Sequence, residues 1–393
     1  MGSGFRIDAY LQDCRRLTLE EIKRHVPRDT RNTAGLYDLI LDYPMRPAKA
    51  LRPALCIGVC LGLGGHLDAA LPSAAAFELF HNAFLVHDDV EDASLLRRHG
   101  PTLHSTHGVP IAVNVGDAML AVAFAPLLDN VRVVGLGPAL KILQSFARMA
   151  RESAEGQMLE LDWIRNRRWD LEDRDYLRMV HKKTGWYSFI APIQVGAIAA
   201  GADRRTIDTL GRFAVTLGIA FQIQDDLLSL EGGEGTIGKD ALGDLWEGKY
   251  TLALLHALRS LPEPERREAF AILALSRATP PDDGAPPDDS TDRARLFARL
   301  VNGAVPLSVG ERAILEKALL GAPADNRTAA DVRRLHELVT GRGGESLLHA
   351  RRIARRLAGR SMAVLDRGLK ELPDSIHKLF LKELVEFVIH RSR

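Results

Sequence analysis

The sequence has little of several features that mark other classes of protein. Three cysteines in 393 residues are too few for a disulfide framework. Lys plus Arg total 52 and Asp plus Glu total 51, so the formal net charge is only +1. Such a balance gives no general attraction to nucleic acid or to an anionic membrane. Aromatic residues make up 6% of the chain, too few to favour base-stacking surfaces. We therefore expect no nucleic-acid partner.

Targeting and membrane-spanning segments are also missing from the pattern. The N-terminal stretch MGSGFRIDAYLQDCRRL lacks the apolar core of a secretory signal. No stretch reaches the uninterrupted apolar length needed to span a bilayer. We therefore expect a cytoplasmic protein in a reducing compartment, without a membrane span.

Strand patterns are scarce, whereas apolar residues at three-four spacing predict long helices. The predicted helices cover 5–26, 47–62, 68–91, 109–128, 138–165, 172–201, 204–230, 246–260, 328–340, 344–369 and 374–391. Several are apolar nearly all round, which is typical of helices inside a large bundle. We expect an all-α fold with residues 1–393 in one domain. A stretch rich in proline and aspartate, at about 276–327, is interpreted as an insert with one or two short helices within 296–320.

The helix predicted over 68–91 ends in a first acidic packet, DDVED, from Asp88 to Asp92. Asp88 and Asp92 lie one helical turn apart and face the same way, with Asp89 rotated away from them. Two carboxylates on one face at the mouth of a bundle suit a divalent cation that prefers oxygen ligands. For this packet alone, a solvated helix end is an equally good interpretation.

A second acidic packet, Asp225 and Asp226 in LGIAFQIQDDLLSL, ends another apolar helix. One turn beyond Asp225 the residue is Ser229, which carries no carboxylate. If the two packets face each other across a cavity, they could hold several Mg²⁺ ions. Because Mg²⁺ usually takes few protein carboxylates and completes its shell with water and phosphate oxygens, the pattern implies a phosphorylated ligand.

Lysines are rare but clustered in short polar stretches. Only seven precede residue 300, and five of these lie in the stretches RPAKALRP, HKKTG, GKD and EGKYT. Arg52 lies near one of them, and Arg97 and Arg98 follow the first acidic packet directly. Lysine and arginine in such positions are suited to binding phosphate groups.

The order of these motifs resembles the trans-isoprenyl diphosphate synthases, the polyprenyl synthetase family, and in particular its short-chain geranylgeranyl and farnesyl diphosphate synthases. The resemblance runs from about Leu36 to Lys249 and again from about Thr328. It is carried by PAKALRP, FHNAFLVHDDVEDASLLRRHGPTLH, KKTG, FQIQDD and GKDALGDLWEGKYTLALLHAL. It implies the helical bundle of class I terpenoid synthases, with a central active-site cavity, and a homodimer. The implied activity is Mg²⁺-dependent condensation of isopentenyl diphosphate with an allylic diphosphate, releasing diphosphate.

The resemblance also implies roles for individual residues. The catalytic set would be Asp88, Asp89, Asp92, Lys183, Thr184, Asp225 and Asp226. Up to three Mg²⁺ ions would be bound by Asp88, Asp92 and Asp225, with Asp89 supporting the first pair indirectly. Isopentenyl diphosphate would be bound by Lys49, Arg52, His81 and Arg98. The allylic diphosphate would be bound by Arg97, Lys183, Thr184, Gln222, Lys239 and Lys249. The stretch from Lys183 to Gly185 is expected at a helix irregularity, and for Gln157 a structural and a functional role are equally open.

Product length in this family depends on residues just upstream of the first packet. Here Ala83 leaves room and Phe84 partly blocks the cavity, so we expect a C20 product first and C15 second. Ser229 departs from the family pattern, as do the missing glycines in PAKALRP and the RRH that replaces R-R-G. A terpene cyclase and a non-catalytic regulatory subunit are therefore retained as alternatives.

Overall fold

The chain folds almost entirely into helices, which confirms the predicted all-α class. The computed structural model describes residues 5–28, 35–231, 242–275, 327–368, 370 and 374–390. In the first half the helices are α1 Ile7–His25, α2 Leu36–Met45, α3 Leu51–Gly62, α4 Leu67–Glu91, α5 Leu103–His107, α6 Val109–Val122, α7 Phe124–Val134 and α8 Leu136–Arg165. In the second half they are α9 Asp173–Val180, a π-helix His181–Ile190, α10 Ala191–Ala199, α11 Arg204–Leu230, α12 Gly243–Glu247, α13 Leu252–Ser260, α14 Glu263–Ala274, α15 Ala329–Gly368 and α16 Ile376–His390. A short hairpin, β1 Leu96–Arg97 and β2 Gly100–Pro101, separates α4 from α5.

Several boundaries differ from the predicted ones. The helices α2 and α14 were not predicted, and the helix predicted over 109–128 is two helices, α6 and α7. The helix predicted over 172–201 has a π-helical centre, which is the irregularity expected around Lys183. The break predicted between 340 and 344 is confirmed, because Arg342, Gly343 and Gly344 have positive φ angles within α15. The Pro/Asp-rich stretch lies outside the described residues, except for Arg327, which is buried.

The β1–β2 hairpin places two consecutive arginines next to the end of α4. Its two-residue turn consists of Arg98 and His99, with φ angles of 50° and 65°. Left-handed values at both turn residues match the twist of a hairpin, although glycine adopts them at lower cost than histidine. The turn therefore explains how Arg97 and Arg98 project in different directions from adjacent positions.

Two hydrophobic clusters form the core, and α11 contributes to both of them. The larger cluster joins α1, α3, α4, α6, α8, α10 and the π-helix around Phe77, Phe189 and Phe213. The smaller cluster joins the end of α8 to α9, α13, α14 and α15 around Trp163 and Tyr250. The first part of α11, up to Ala220, packs in the larger cluster, and its C-terminal part, from Ile223 to Leu230, packs in the smaller one.

Three helical segments have the length and mean hydropathy of a membrane span: Leu67–Glu91, Val109–Val134 and Arg204–Leu230. This differs from the expectation that no stretch is long enough, because isolated charged residues interrupt the apolar runs without ending the helices. In the apolar window of Leu67–Glu91, 89% of the residues are buried inside the protein. The apolar character of α4 is thus accounted for by its place in the core.

The π-helix lies between α8 and α11 at unusually short range. A Cβ atom added to Gly156 of α8 would lie 2.2 Å from the backbone nitrogen of Lys183. A Cβ on Gly218 of α11 would lie 3.3 Å from the Cα atom of Gly185. Glycine at both positions allows this approach, and π-helical turns are frequent at functional sites.

Candidate active site

The first acidic packet lies at the C-terminal end of α4, and its members differ in burial. Asp89 is buried and accepts hydrogen bonds from Tyr43 Oη at 2.7 Å and from Arg97 Nε at 2.8 Å. Asp88 and Asp92 are partly exposed. Asp88 Oδ2 lies 3.7 Å from Arg97 Nη2. The arrangement leaves Asp88 and Asp92 available to a ligand, while Asp89 orients Arg97.

The second acidic packet repeats this division at the end of α11. Asp225 is exposed, whereas Asp226 is buried. Asp226 accepts hydrogen bonds from Tyr176 Oη at 2.5 Å and from Gln222 Nε2 at 2.8 Å. The hydroxyl of Thr184, in the π-helix, donates to Gln222 Oε1 at 2.9 Å. Three of the predicted site residues therefore form one hydrogen-bonded chain.

Two lysines extend toward the first packet from the second half of the chain. Lys183 Nζ lies 3.9 Å from Asp88 Oδ1 and also pairs with Glu160 of α8. Lys249 Nζ lies 4.0 Å from Asp92 Oδ2. Burial and the neighbouring Asp88 raise the pKa of Asp92 to about 7, against the attraction of Lys249. The carboxylates are thus crowded in a low-dielectric setting, and further positive charge would be favourable there.

Asp244 is a site residue that the sequence interpretation missed. It lies in the first turn of α12, where the nearby Ser229 side chain lowers the pKa of its carboxyl group, against the larger effect of burial, which raises it. Lys249 Nζ is 3.6 Å from Asp244 Oδ1, so this lysine contacts carboxylates of α4 and α12 together. Repulsion from Asp244 contributes to the raised pKa of Asp226, after the larger effect of burial. Asp244 therefore adds a carboxylate near the second packet, where Ser229 has none.

Arg327 holds α12 in place from the far side. Its side chain donates to the carbonyl oxygens of Leu245 at 2.6 Å and Trp246 at 2.7 Å, and to that of Leu273 at 3.1 Å. The residue is 3% exposed. Although it falls at the edge of the predicted insert, Arg327 is a structural residue that joins the end of α14 to the segment that carries Asp244.

Three of the four residues predicted to bind isopentenyl diphosphate form a partly buried group, here called the anion pocket: Arg52, His81 and Arg98. Arg98 Nη2 lies 3.3 Å from His81 Nε2, and Arg52 Nη2 donates to Ser188 Oγ at 2.7 Å. Burial, together with Arg52 and Arg98, lowers the pKa of His81 well below 6.5. The fourth residue, Lys49, has its ammonium group 5.1 Å from the ring of Phe387 in α16.

Two buried donor groups of the anion pocket make no hydrogen bond within the described part of the protein. Among the described residues, no partner accepts from the buried Nδ1 of His81 or the buried Nε of Arg52. Because Arg98 donates to Nε2, neutral His81 carries its proton on Nδ1 and can donate it. Buried donors without acceptors are costly, so an anion with several oxygen atoms fits this pocket.

About one helical turn before Asp88, aromatic side chains pack against one another. Phe84 packs edge-on against Tyr187, with ring centroids 5.6 Å apart, and against Phe80 at 6.0 Å. Phe80 packs in turn on Phe146 of α8. Phe84 is partly exposed, whereas Ala83 is completely buried. Of the two predicted chain-length residues, Phe84 is thus the one whose side chain can meet a ligand.

The remaining predicted residues have varied placements. Lys239 lies outside the described residues. Gln157 donates to Glu91 Oε2 at 2.6 Å and so links α8 to the end of α4. Lys182, next to Lys183, pairs with Glu152 and Glu155 of α8 instead of with either packet.

The donor set fits Mg²⁺ bound together with a phosphate ester. Among the residues that the structure describes, no three His, Cys, Asp or Glu side chains are grouped closely enough to hold a metal ion by themselves. Asp88, Asp92 and Asp225 nevertheless supply oxygen ligands at the accessible edges of two helices. Mg²⁺ commonly binds to one or two carboxylates and completes its shell with phosphate oxygens and water.

The bundle has known structural counterparts. It is similar to the geranylgeranyl pyrophosphate synthetase from Pyrococcus horikoshii, with a TM-score of 0.76, 24% identity and 98% of each chain covered. It is also similar to a polyprenyl synthase from Caulobacter crescentus complexed with calcium and isoprenyl diphosphate, with a TM-score of 0.68 and 28% identity. That comparison covers 98% of this chain and 95% of the other. Fold and site together define the class of all-α isoprenoid synthases.

Sequence comparison identifies the family within this class. The family model for polyprenyl synthetase matches residues 35–282, which is more than half of the chain. The short chain isoprenyl diphosphate synthase of Methanocaldococcus jannaschii is 33% identical over 254 residues, covering 65% of this chain and 74% of that protein. This chain belongs to the polyprenyl synthetase family, which confirms the resemblance seen in its motifs.

Proposed function

We propose that this chain is a short-chain trans-prenyltransferase that condenses isopentenyl diphosphate with an allylic diphosphate and releases diphosphate. The observation that carries the proposal is the presence of two different anion-binding arrangements in one site. One combines the accessible carboxylates with Lys183, Lys249 and Arg97. The other is the anion pocket, whose side chains are cationic or neutral donors.

The difference between the two arrangements assigns the two substrates. A diphosphate that must leave needs its charge neutralised strongly, which suits the arrangement that can also recruit metal ions. A diphosphate that stays attached needs only to be held, which suits the anion pocket. The allylic substrate is therefore assigned to the acidic packets, and isopentenyl diphosphate to Arg52, His81 and Arg98.

Asp88, Asp92 and Asp225 are the residues that would hold Mg²⁺. Bound there, Mg²⁺ supplies the Lewis acidity that stabilises the departing diphosphate. Arg97, fixed by Asp89, and Lys183, paired with Glu160, donate hydrogen bonds to the same leaving group. Support for a divalent cation comes from the Caulobacter crescentus relative, which holds calcium with isoprenyl diphosphate.

The aromatic layer under Asp88 favours a short product. Phe84, Phe80 and Tyr187 close the apolar part of the site about one helical turn below the first packet. An allylic cation in such surroundings is shielded from water and meets no side-chain nucleophile. We propose a C20 product, with C15 as the second candidate; the geranylgeranyl name of the Pyrococcus horikoshii relative agrees with the first.

The alternatives fit the site less well. A terpene cyclase uses one diphosphate substrate and has no need of the anion pocket, with its unpartnered buried donors. A non-catalytic subunit has no need of accessible acids on both packets, and Asp88, Asp92 and Asp225 are all accessible.

A homodimer is proposed from an apolar surface on α6, α7 and α8. Large apolar side chains are exposed there at Val109, Ile111, Phe124, Leu128, Leu136 and Leu140. Exposed apolar patches of this kind mark protein interfaces. Light scattering should give the mass of a dimer, and Leu128→Arg should give a monomer. Leu348→Arg, at a leucine of α15 that is also at least half exposed, is the control and should stay dimeric.

Incubation with C5, C10 and C15 allylic diphosphates tests the activity. With isopentenyl diphosphate and Mg²⁺ we expect prenyl diphosphates extended by C5 units, ending at C20. Hydrocarbon formed without isopentenyl diphosphate would instead identify a cyclase. The absence of any product at every Mg²⁺ concentration would identify a non-catalytic subunit.

A further inference from the structure

Two buried tyrosines occupy corresponding places in the two halves of the site. Tyr43, near the end of α2, donates to Asp89 Oδ2 at 2.7 Å. Tyr176, in α9, donates to Asp226 Oδ2 at 2.5 Å. Both tyrosines are almost completely buried. Each acidic packet thus has one buried carboxylate, Asp89 or Asp226, that accepts a hydrogen bond from a tyrosine hydroxyl; these two are here called the inner carboxylates.

The other oxygen of each inner carboxylate accepts from a side chain of the proposed allylic site. Asp89 Oδ1 accepts from Arg97 Nε at 2.8 Å, and Asp226 Oδ1 accepts from Gln222 Nε2 at 2.8 Å. Gln222 accepts in turn from the hydroxyl of Thr184. Each inner carboxylate is therefore hydrogen-bonded both to a tyrosine and to a side chain of the proposed allylic diphosphate site.

We propose that Tyr43 and Tyr176 are positioning residues, each of which fixes one inner carboxylate and, through it, one part of the allylic diphosphate site. This proposal rests on the proposed function, because it takes the acidic packets as the allylic site. Neither tyrosine touches the substrate; both act through Asp89 or Asp226. Loss of the hydroxyl leaves Asp89 with its two hydrogen bonds from Arg97 and Asp226 with its one from Gln222. One oxygen of each buried carboxylate then has no donor, so the carboxylate and the group it orients are held less firmly.

The surroundings of both hydroxyl groups favour this donor role. The backbone N–H of Leu103 donates to the Tyr43 oxygen at 3.2 Å, which directs the hydroxyl proton toward Asp89. Burial, and then repulsion from Asp226, raise the pKa of Tyr176 well above its ordinary value, so its proton is retained. Hydrogen bonds from neutral donors to buried carboxylates are among the stronger ones in proteins.

Removal of single hydroxyl groups tests the proposal, with Tyr10→Phe as the matched control. Tyr10 Oη lies 2.8 Å from His377 Nδ1, where α1 meets α16, so this variant also loses a tyrosine hydrogen bond. Calorimetric titration with inorganic pyrophosphate measures diphosphate binding without catalysis, and the binding that requires Mg²⁺ reports on the allylic site, because the anion pocket has no carboxylates to bind the metal. For Tyr43→Phe and Tyr176→Phe we expect Kd to rise about 10-fold to 100-fold, the range for a hydrogen bond to a charged group. Tyr10→Phe should bind as the wild type does.

Steady-state kinetics separates positioning from general destabilisation. Tyr43→Phe and Tyr176→Phe should raise the KM for the allylic diphosphate and leave the KM for isopentenyl diphosphate unchanged. An equal rise in both KM values, or pyrophosphate binding equal to that of Tyr10→Phe, overturns the proposal. A wild type that binds no pyrophosphate in Mg²⁺ overturns the proposed function as well.

A measurement on the wild-type sequence tests the proposal even if the tyrosine variants fail to fold. The chain contains six tyrosines, so incorporation of 3-fluorotyrosine gives six ¹⁹F resonances. Single replacement of each tyrosine other than Tyr43 and Tyr176 assigns the other resonances and leaves these two. The resonances of Tyr43 and Tyr176 should shift when pyrophosphate and Mg²⁺ are added, while that of Tyr10 should not. No shift at Tyr43 or Tyr176 overturns the proposal.

Discussion

Gly156→Ala tests the coupling between the packing of α8 and the position of Lys183, which is proposed to bind the allylic diphosphate. The added Cβ would lie 2.2 Å from the backbone nitrogen of Lys183, 2.6 Å from its Cα and 2.8 Å from the carbonyl carbon of Lys182. All three are backbone atoms, so no side chain can rotate away to make room. Ordinary contact begins near 3.4 Å, so α8 and the π-helix must separate by roughly 1 Å.

Two effects of this separation can be estimated. Overpacking lowers the free energy of unfolding by about 1–3 kcal/mol. The higher helix propensity of alanine offsets up to about 1 kcal/mol of this loss. We therefore expect the free energy of unfolding to fall by up to about 2 kcal/mol, the overpacking cost less the contribution of helix propensity. A displacement of about 1 Å at a group that binds the leaving group can lower the rate by about 10²-fold. We expect kcat/KM to fall by about 10-fold to 100-fold on the same basis.

Urea unfolding and steady-state kinetics measure the two quantities. Gly359→Ala in α15 is the control, because an added Cβ there meets no atom within 4 Å. That variant should be as active as the wild type and more stable by up to about 1 kcal/mol. Wild-type kcat/KM in Gly156→Ala would refute the claim that α8 fixes Lys183.

Three further predictions concern chain length, the second packet and pH. Phe84→Ala removes the ring that contacts Tyr187, so the products should lengthen beyond those of the wild type; unchanged chain length on chromatography would place the floor elsewhere. Ser229→Asp puts a second carboxylate beside Asp244, so the thermal midpoint should fall without Mg²⁺ and rise with Mg²⁺ and pyrophosphate; a fall of equal size in both conditions would contradict a metal role. Because burial and nearby arginines hold the pKa of folded His81 below 6.5, the unfolded state binds more protons in acid, and stability should decrease as the pH falls below 6.5. Urea unfolding measured above and below pH 6.5 should show a weaker dependence of stability on pH for His81→Asn than for the wild type. An unchanged dependence would show that other groups cause it.

The long helices and the acidic packets could be predicted from the sequence because periodicity and local clustering determine them. Asp88 lies in the last turn of α4, Asp92 directly follows the helix, and both are partly exposed. Charge alone, however, does not distinguish the inner from the outer acids. Burial of Asp89 and Asp226 depends on tyrosines that lie 46 and 50 residues away, a pairing that local patterns do not reveal.

The missed elements share a physical cause. The short helix α2 is too brief for periodicity to identify, yet it delivers Tyr43 to the first packet. Asp244 lies in a five-residue helix whose position depends on Arg327, 82 residues away from Leu245. Both are fixed by tertiary contacts, which local patterns do not show. The one sequence signal for Asp244 is an acidic residue close to a lysine in the stretch GDLWEGKY.

The stoichiometry of diphosphate release distinguishes the roles of the two substrates. In the proposed reaction one diphosphate departs from the acidic packets while the other stays in the anion pocket. Purified protein should therefore release one diphosphate for each isopentenyl unit added to the allylic chain, and none when Mg²⁺ is removed by chelation. Release from the allylic substrate at the same rate without isopentenyl diphosphate would contradict the account.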